Sequence, residues 1–443
     1  MSGPRETEIT RVFPCLHVLR AVGIAIEPRK LLLGMAGLFL FAAGFQGLAN
    51  LPFAPASAKL APGPGPANWL RSAAADSQLA AANSVLAEPL SFDEKVLNDS
   101  GARLLLAPAI TLLEPAAKLF QGGGVQSVAW NVTLVLWTLL VWSIIGGALA
   151  RMTAMQFAQR QRISVRQAVK FSSRQTLSYL IAPGLPLGGI GVLLTFNVLF
   201  GLVGSIPVAG GPALGVIWGL ILFVSFLMMM MLSGIVVGWP LMIAAISTED
   251  SDGFDGLSRS FGFLFDRPWY TLLLAGLGLL AGLVGWFLLN VMMELTVHLA
   301  SWSVSTGYVG SGELRLPLSD SPEFQATGAT TIGEFLISGW MTLFSGMLAG
   351  FGPSFFFCAA TVIYFLVRKS DDGTELSEVA VFIEPESPNK ESEEAASGKA
   401  EDAKEPAEPK AAEPEAAKEN PESETAEAAP DSDSAENSTD ESK

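Results

Sequence analysis

Six stretches of this 443-residue chain are long enough, and nearly free enough of charge, to cross a lipid bilayer: residues 31–51, 127–150, 176–204, 212–246, 269–299 and 335–367. A hydrocarbon core of ~30 Å takes about 20 helical residues. Inside it every backbone N–H and C=O must find a partner within the protein, which leaves helices or a closed barrel. The runs are continuously apolar and lack the two-residue alternation of barrel strands. The fold class is therefore an all-α membrane protein with six transmembrane helices. The fourth and sixth runs are longer than a bilayer needs, so they must tilt, kink or project. Pro240 and Pro353 stand where a kink would help. The first run follows 30 residues with five basic and three acidic side chains. It reads as a signal anchor that stays in the protein.

Orientation follows from Lys and Arg beside the spans. Residues 1–30 carry five and 151–175 carry six (Arg151, Arg160, Arg162, Arg166, Lys170, Arg174). Residues 247–268 carry two, and Arg368 and Lys369 follow the last span. On the other side the long segment 52–126 carries five and 300–334 only Arg315. Both termini are expected in the cytoplasm, in the cell membrane of a bacterium (the inner membrane). Residues 384–443 hold 20 Asp/Glu against six Lys, a net −14 of the chain's −16. The acidity thus belongs to a tail of Glu, Ala, Pro, Lys and Ser, which predicts disorder and offers charge to a basic cytoplasmic partner. It gives no electrostatic case for binding nucleic acid.

The segment 247–268 sets five carboxylates, two arginines and a proline between two apolar runs. Leu257, Phe261, Leu264 and Phe265 have near-helical spacing, which predicts an in-plane amphipathic helix with that face toward lipid. Pro268 then opens span five, where its missing N–H costs nothing. Glu249, Asp250, Asp252 and Asp255 are expected to stay in water. Similar elbows precede span one, within the cytoplasmic amphipathic segment 1–30, and span three, within the basic segment 151–175. Arg20 to Arg29 aligns without gaps on Arg259 to Pro268. The plan suggests three units of elbow, span, outer loop and span. The outer segment 52–126 is expected to carry surface helices, 102–120 among them, lying on the outer leaflet or packed over the bundle rather than crossing it. No strong expectation attaches to 300–334.

Ionisable groups inside a span are costly and point to function. Asn290, Glu294 and His298 succeed one another at four residues in span five and share a face, and Asn197 lies at a similar depth in span three. Together they form a candidate polar intramembrane site for protons or a polar solute. No metal site is expected, since His17 is placed on the other side and two side chains are too few. Cys15 and Cys358 read as buried apolar thiols. No phosphate loop, dinucleotide fingerprint, zinc motif or nucleophile elbow occurs, so neither a cofactor nor a catalytic residue is assigned. Small residues at four-residue spacing, Gly278/Gly282 and Ala281/Gly285 in span five, Ser338 to Gly350 in span six and Gly184 to Gly191 in span three, predict close helix packing, within the chain or in a homo-oligomer or with a membrane partner.

Residues 252–269, DGFDGLSRSFGFLFDRPW, and 359–379, AATVIYFLVRKSDDGTELSEV, resemble a group of uncharacterised multi-pass membrane proteins of planctomycete-type bacteria. The resemblance implies a six-span body and carries no activity. The positions it marks are Asp252, Asp255, Ser258, Arg259, Ser260, Arg267 and Pro268 in the elbow, and Tyr364, Arg368, Thr374, Glu375 and Glu378 at the exit of span six. Arg259 and Arg267 are expected to cross-pair with Glu375 and Glu378 and lock the cytoplasmic face, each exposed pair contributing ~1 kcal/mol at most, or else these positions form a docking surface for a partner. Three readings stand. The first is a non-enzymatic scaffold, assembly factor or permease-like body. The second is a transporter or channel using Asn197, Asn290, Glu294 and His298. The third is a membrane-embedded enzyme acting on a lipid-like substrate.

Overall fold

The computed structural model describes residues 14–55, 101–120, 124–307, 332–376 and 379. The tail 384–443, Glu378, and the loops 56–100 and 308–331 lie outside the described residues. Among those described, every regular element is helical. A 3₁₀ turn, Pro14–Leu19, leads into α1 (Arg20–Ala25) and α2 (Pro28–Leu48). Then follow α3 (Ala102–Leu105), α4 (Ala107–Phe120) and α5 (Val125–Ala154), the last prolonged by a π-helical turn to Gln159. The rest is α6 (Val165–Arg174), α7 (Thr176–Gly204), α8 (Gly210–Glu249), α9 (Gly253–Asp266), α10 (Pro268–Gly307) and α11 (Ile332–Asp372). The chain is a multi-pass membrane protein: α2, α5, α7, α8, α10 and α11 are each long and apolar enough to cross a bilayer.

All three elbows form, each ended by a local backbone break. α6 starts on a capping box, in which Ser164 accepts from the Gln167 N–H and the Gln167 side chain accepts from the Ser164 N–H. α9 starts on Asp252, whose carboxylate accepts from the Asp255 N–H at 2.8 Å. Pro28 and Pro268 open the spans that follow the first and third elbows. α8 ends where Asp250 turns left-handed at φ 54°.

The elbows pack in one pattern. Each lies against the second span of the preceding unit: α1 on α11, α6 on α5, α9 on α8. The three second spans, α5, α8 and α11, also pack on one another. The face by which α9 packs on the bundle takes only Leu264 from the apolar face expected to meet lipid. Gly253, Gly256, Ser260, Phe263 and Leu264 are buried, whereas Phe265 is exposed and Leu257 and Phe261 are half-buried. Glycine carries this face because a Cβ at 253 would strike the Ser178 carbonyl of α7, and one at 256 the Ile246 side chain of α8. The hydrophobic pattern cannot register a surface made by absent side chains.

At the centre stands α11. In its most apolar stretch 94% of the residues are buried, against 6% in α7. Phe351, Phe357, Tyr364 and Phe365 are enclosed there, joined by Trp142 of α5 and Trp239 of α8. α2 meets α11 backbone to backbone at Gly34 and Gly350. α3 and α4 cover the bundle, with Thr138 of α5 donating to the Thr111 carbonyl and the Trp142 indole to the Thr111 hydroxyl at 3.1 Å. α7 and the outer part of α8 instead present Leu194, Phe196, Leu202, Val216, Trp218 and Phe223 outward.

Candidate functional site

The polar groups of the molecule gather where the spans meet the elbows. The helix of span two runs on past 150 to Gln159, with Arg151 accommodated inside it. It is 3% exposed, its guanidinium donates to the Ser247 carbonyl of α8 at 2.8 Å and lies 4.4 Å above the Phe171 ring of α6. The Ser247 hydroxyl in turn meets the Tyr179 hydroxyl of α7 at 2.8 Å and donates to the Gly147 carbonyl of α5. Lys30, fully buried at the start of α2, donates to Gln156 at 2.6 Å and to the Ile24 carbonyl at 3.3 Å. Arg174 and Gln175 both reach Asp250. Cys358 is buried as a free thiol, 3.0 Å from the Thr153 hydroxyl.

The centre of this face is Glu249, at the last residue of α8. Its side chain is only 14% exposed, so it is not the water-bathed carboxylate its acidic neighbours suggest. It pairs with Arg259 of α9 at 2.6 Å and with Arg368 of α11 at 3.4 Å, and it accepts the Tyr364 hydroxyl. Arg259 also binds Asp255 one turn back at 3.0 Å. Partial burial pulls the Arg259 guanidinium down, but the hydrogen bond to Asp255 and the charge of Glu249 outweigh it and hold it above its ordinary value. Arg267 reaches Ser370 at 2.9 Å and Asp371 at 3.4 Å. The elbow and the exit of span six are therefore bound together, but through Glu249, Ser370 and Asp371. Glu375 lies past the end of α11, and Ser258 is exposed on α9. These bonds join the elbow-side ends of all six spans in a continuous set.

The four intramembrane candidates are spread more widely. Asn197 donates to Ser225 at 3.1 Å and to Met228 at 3.7 Å, both on α8. Asn290 and Glu294 are half-buried, and His298 is exposed on the outer half of α10. Among the described residues no group of three His, Cys, Asp or Glu side chains converges as a metal site. The small residues divide by use. Gly282 and Gly285 receive Phe355, Phe351 and Val22, whereas Gly184, Gly188 and Gly191 face open space.

Glu249 is the residue that sequence reasoning missed. The signal available was Tyr364 and Arg368, four apart on one helical face, which together call for a carboxylate. No family model, curated protein or solved structure matches this chain.

Proposed function

We propose that this protein is a non-enzymatic scaffold of the bacterial cytoplasmic membrane, with both termini in the cytoplasm and the elbow face toward it. The enclosure of α11 carries the reading. From Leu348 to Val367, its elbow-side half, α11 is enclosed by protein and leaves no lipid or aqueous path along itself, whereas Leu336 and Trp340 nearer its other end are exposed. The polar groups at the elbow-side end are engaged with one another rather than held open for a ligand. The basic residues of 151–175 and the resemblance at 252–269 and 359–379 support the orientation and the six-span body. Gly184, Gly188 and Gly191 of α7 offer a flat stripe to a membrane partner or a second copy.

A transporter working through Asn197, Asn290, Glu294 and His298 draws less support. Lys30 to Asn50, Arg151 to Asn131, Thr176 to Asn197 and Pro268 to Asn290 each cover about 20 residues, or roughly 30 Å of helix, which is the thickness of the hydrocarbon. The four asparagines thus stand a similar number of residues along their spans and read as one outer boundary, and Glu294 and His298 lie beyond it.

Cys358 tests the proposal without altering the core. In a Cys15→Ser protein held in native membranes, a membrane-impermeant thiosulfonate is expected to leave Cys358 unmodified until the protein is denatured. Rapid labelling in intact membranes would reveal water beside α11 and overturn the scaffold reading in favour of a permease.

A further inference from the structure

We infer that the second elbow is a binding surface for anionic phospholipid headgroups, built by Arg160, Arg162, Arg166 and Lys170. Between Arg151 and Gln175 the chain has no aspartate or glutamate. The four cationic side chains are exposed. Arg166 and Lys170, four apart, share a face of α6, and Arg160 and Lys170 bracket the stretch. Arg160 itself adopts a left-handed conformation, φ 57°, where the chain leaves the end of α5. The opposite face of α6 is fixed to the bundle by buried Ala168, Phe171 and Ser172.

The height of this helix selects a lipid over a soluble partner. α7 begins two residues after α6 ends, and its first turns already present Leu177, 67% exposed, and Ile181 outward. Hydrocarbon therefore starts within a turn of Arg174, which puts the basic residues at the level of lipid phosphates. The third elbow lacks this imbalance, and the first carries a smaller one, with Arg20, Arg29 and Lys30 against Glu27. Arg259 and Arg267 are matched by Glu249, Asp255 and Asp371, and Lys30 is buried. The largest excess of positive charge on the elbow face thus lies at the second elbow.

The inference rests on the membrane reading but not on the enclosed interior. A reactive Cys358 would remove the scaffold and leave this surface standing. The test is native mass spectrometry of the full-length protein in micelles, titrated with phosphatidylglycerol or phosphatidylcholine. Phosphatidylglycerol is expected to bind preferentially, and R162Q/R166Q/K170Q to weaken it about a hundred-fold, since each basic residue near an anionic surface is worth roughly five-fold. The charge-conserving R162K/R166K is expected to bind as the parent does. If the triple variant does not fold, R162Q and R166Q singly are expected to lose about five-fold each. Equal binding of the two lipids, or undiminished phosphatidylglycerol binding by the glutamine variants, would overturn the inference. So would displacement of the lipid by soluble polyglutamate, which would mark the surface as a dock for an acidic protein.

Discussion

Glu249→Ala is expected to destabilise the protein by about 3 kcal/mol, because removing one partner of a largely buried ion pair strands the other charge. Here two guanidiniums lose a carboxylate partner. Arg368, 11% exposed, loses the carboxylate at 3.4 Å, and Arg259 keeps only Asp255. The Tyr364 hydroxyl loses its acceptor as well. Glu249→Gln retains an acceptor for Tyr364 but not the charge and should fall about midway, since a hydrogen bond between neutral groups contributes roughly 1 kcal/mol. Thermal unfolding in detergent is the measurement, with Asp252→Ala as comparison because it removes only a helix cap worth about 1 kcal/mol. If Glu249→Ala melts no earlier than Asp252→Ala, the charge cluster does not hold the elbow to span six.

Gly350→Ala is expected to cost as much, about 3 kcal/mol, for a different reason. A Cβ at 350 would strike the Leu31 carbonyl oxygen and the Met35 nitrogen of α2, and one at Gly34 the Gly350 carbonyl oxygen. Main-chain atoms cannot rotate aside as a side chain can, so α2 must move off α11. Gly34→Ala and Gly350→Ala together should cost less than their sum, because helices already parted accommodate the second methyl group. Gly47→Ala is the control, since its Cβ would meet open space and should leave the melting temperature unchanged. Additive losses from the two substitutions would contradict a shared backbone contact.

The helices were legible in the sequence to within a few residues at most ends, and α7 at both. Their existence depends on length and absence of charge, which the sequence states directly. Arg151 shows that a helix can run on past a charge where a buried carbonyl receives it. The enclosure of α11 was not legible. Of the six it is the least apolar, while the exposed α8 is the most apolar. Lipid admits only hydrocarbon, whereas a protein interior can satisfy Ser354, Thr361 and Tyr364 with its own acceptors. Hydropathy alone therefore does not identify the enclosed span. Glu249 was hidden similarly. Four carboxylates in seven residues look equivalent in sequence, and only the fold distinguishes the one that faces two arginines.

The enclosed position of α11 bears on how the protein is made. The helix that fills the middle is synthesised last of the six, so α2, α5, α8 and α10, which pack on it, enter the membrane with their eventual contact faces turned to lipid or to insertion machinery. The Gly34 cleft, the Thr153 hydroxyl and the Glu249 carboxylate all await residues the ribosome has yet to produce. Biogenesis must then close around the newcomer in one late step, and a nascent chain halted before residue 350 would sit in the bilayer as loose hairpins without a common centre.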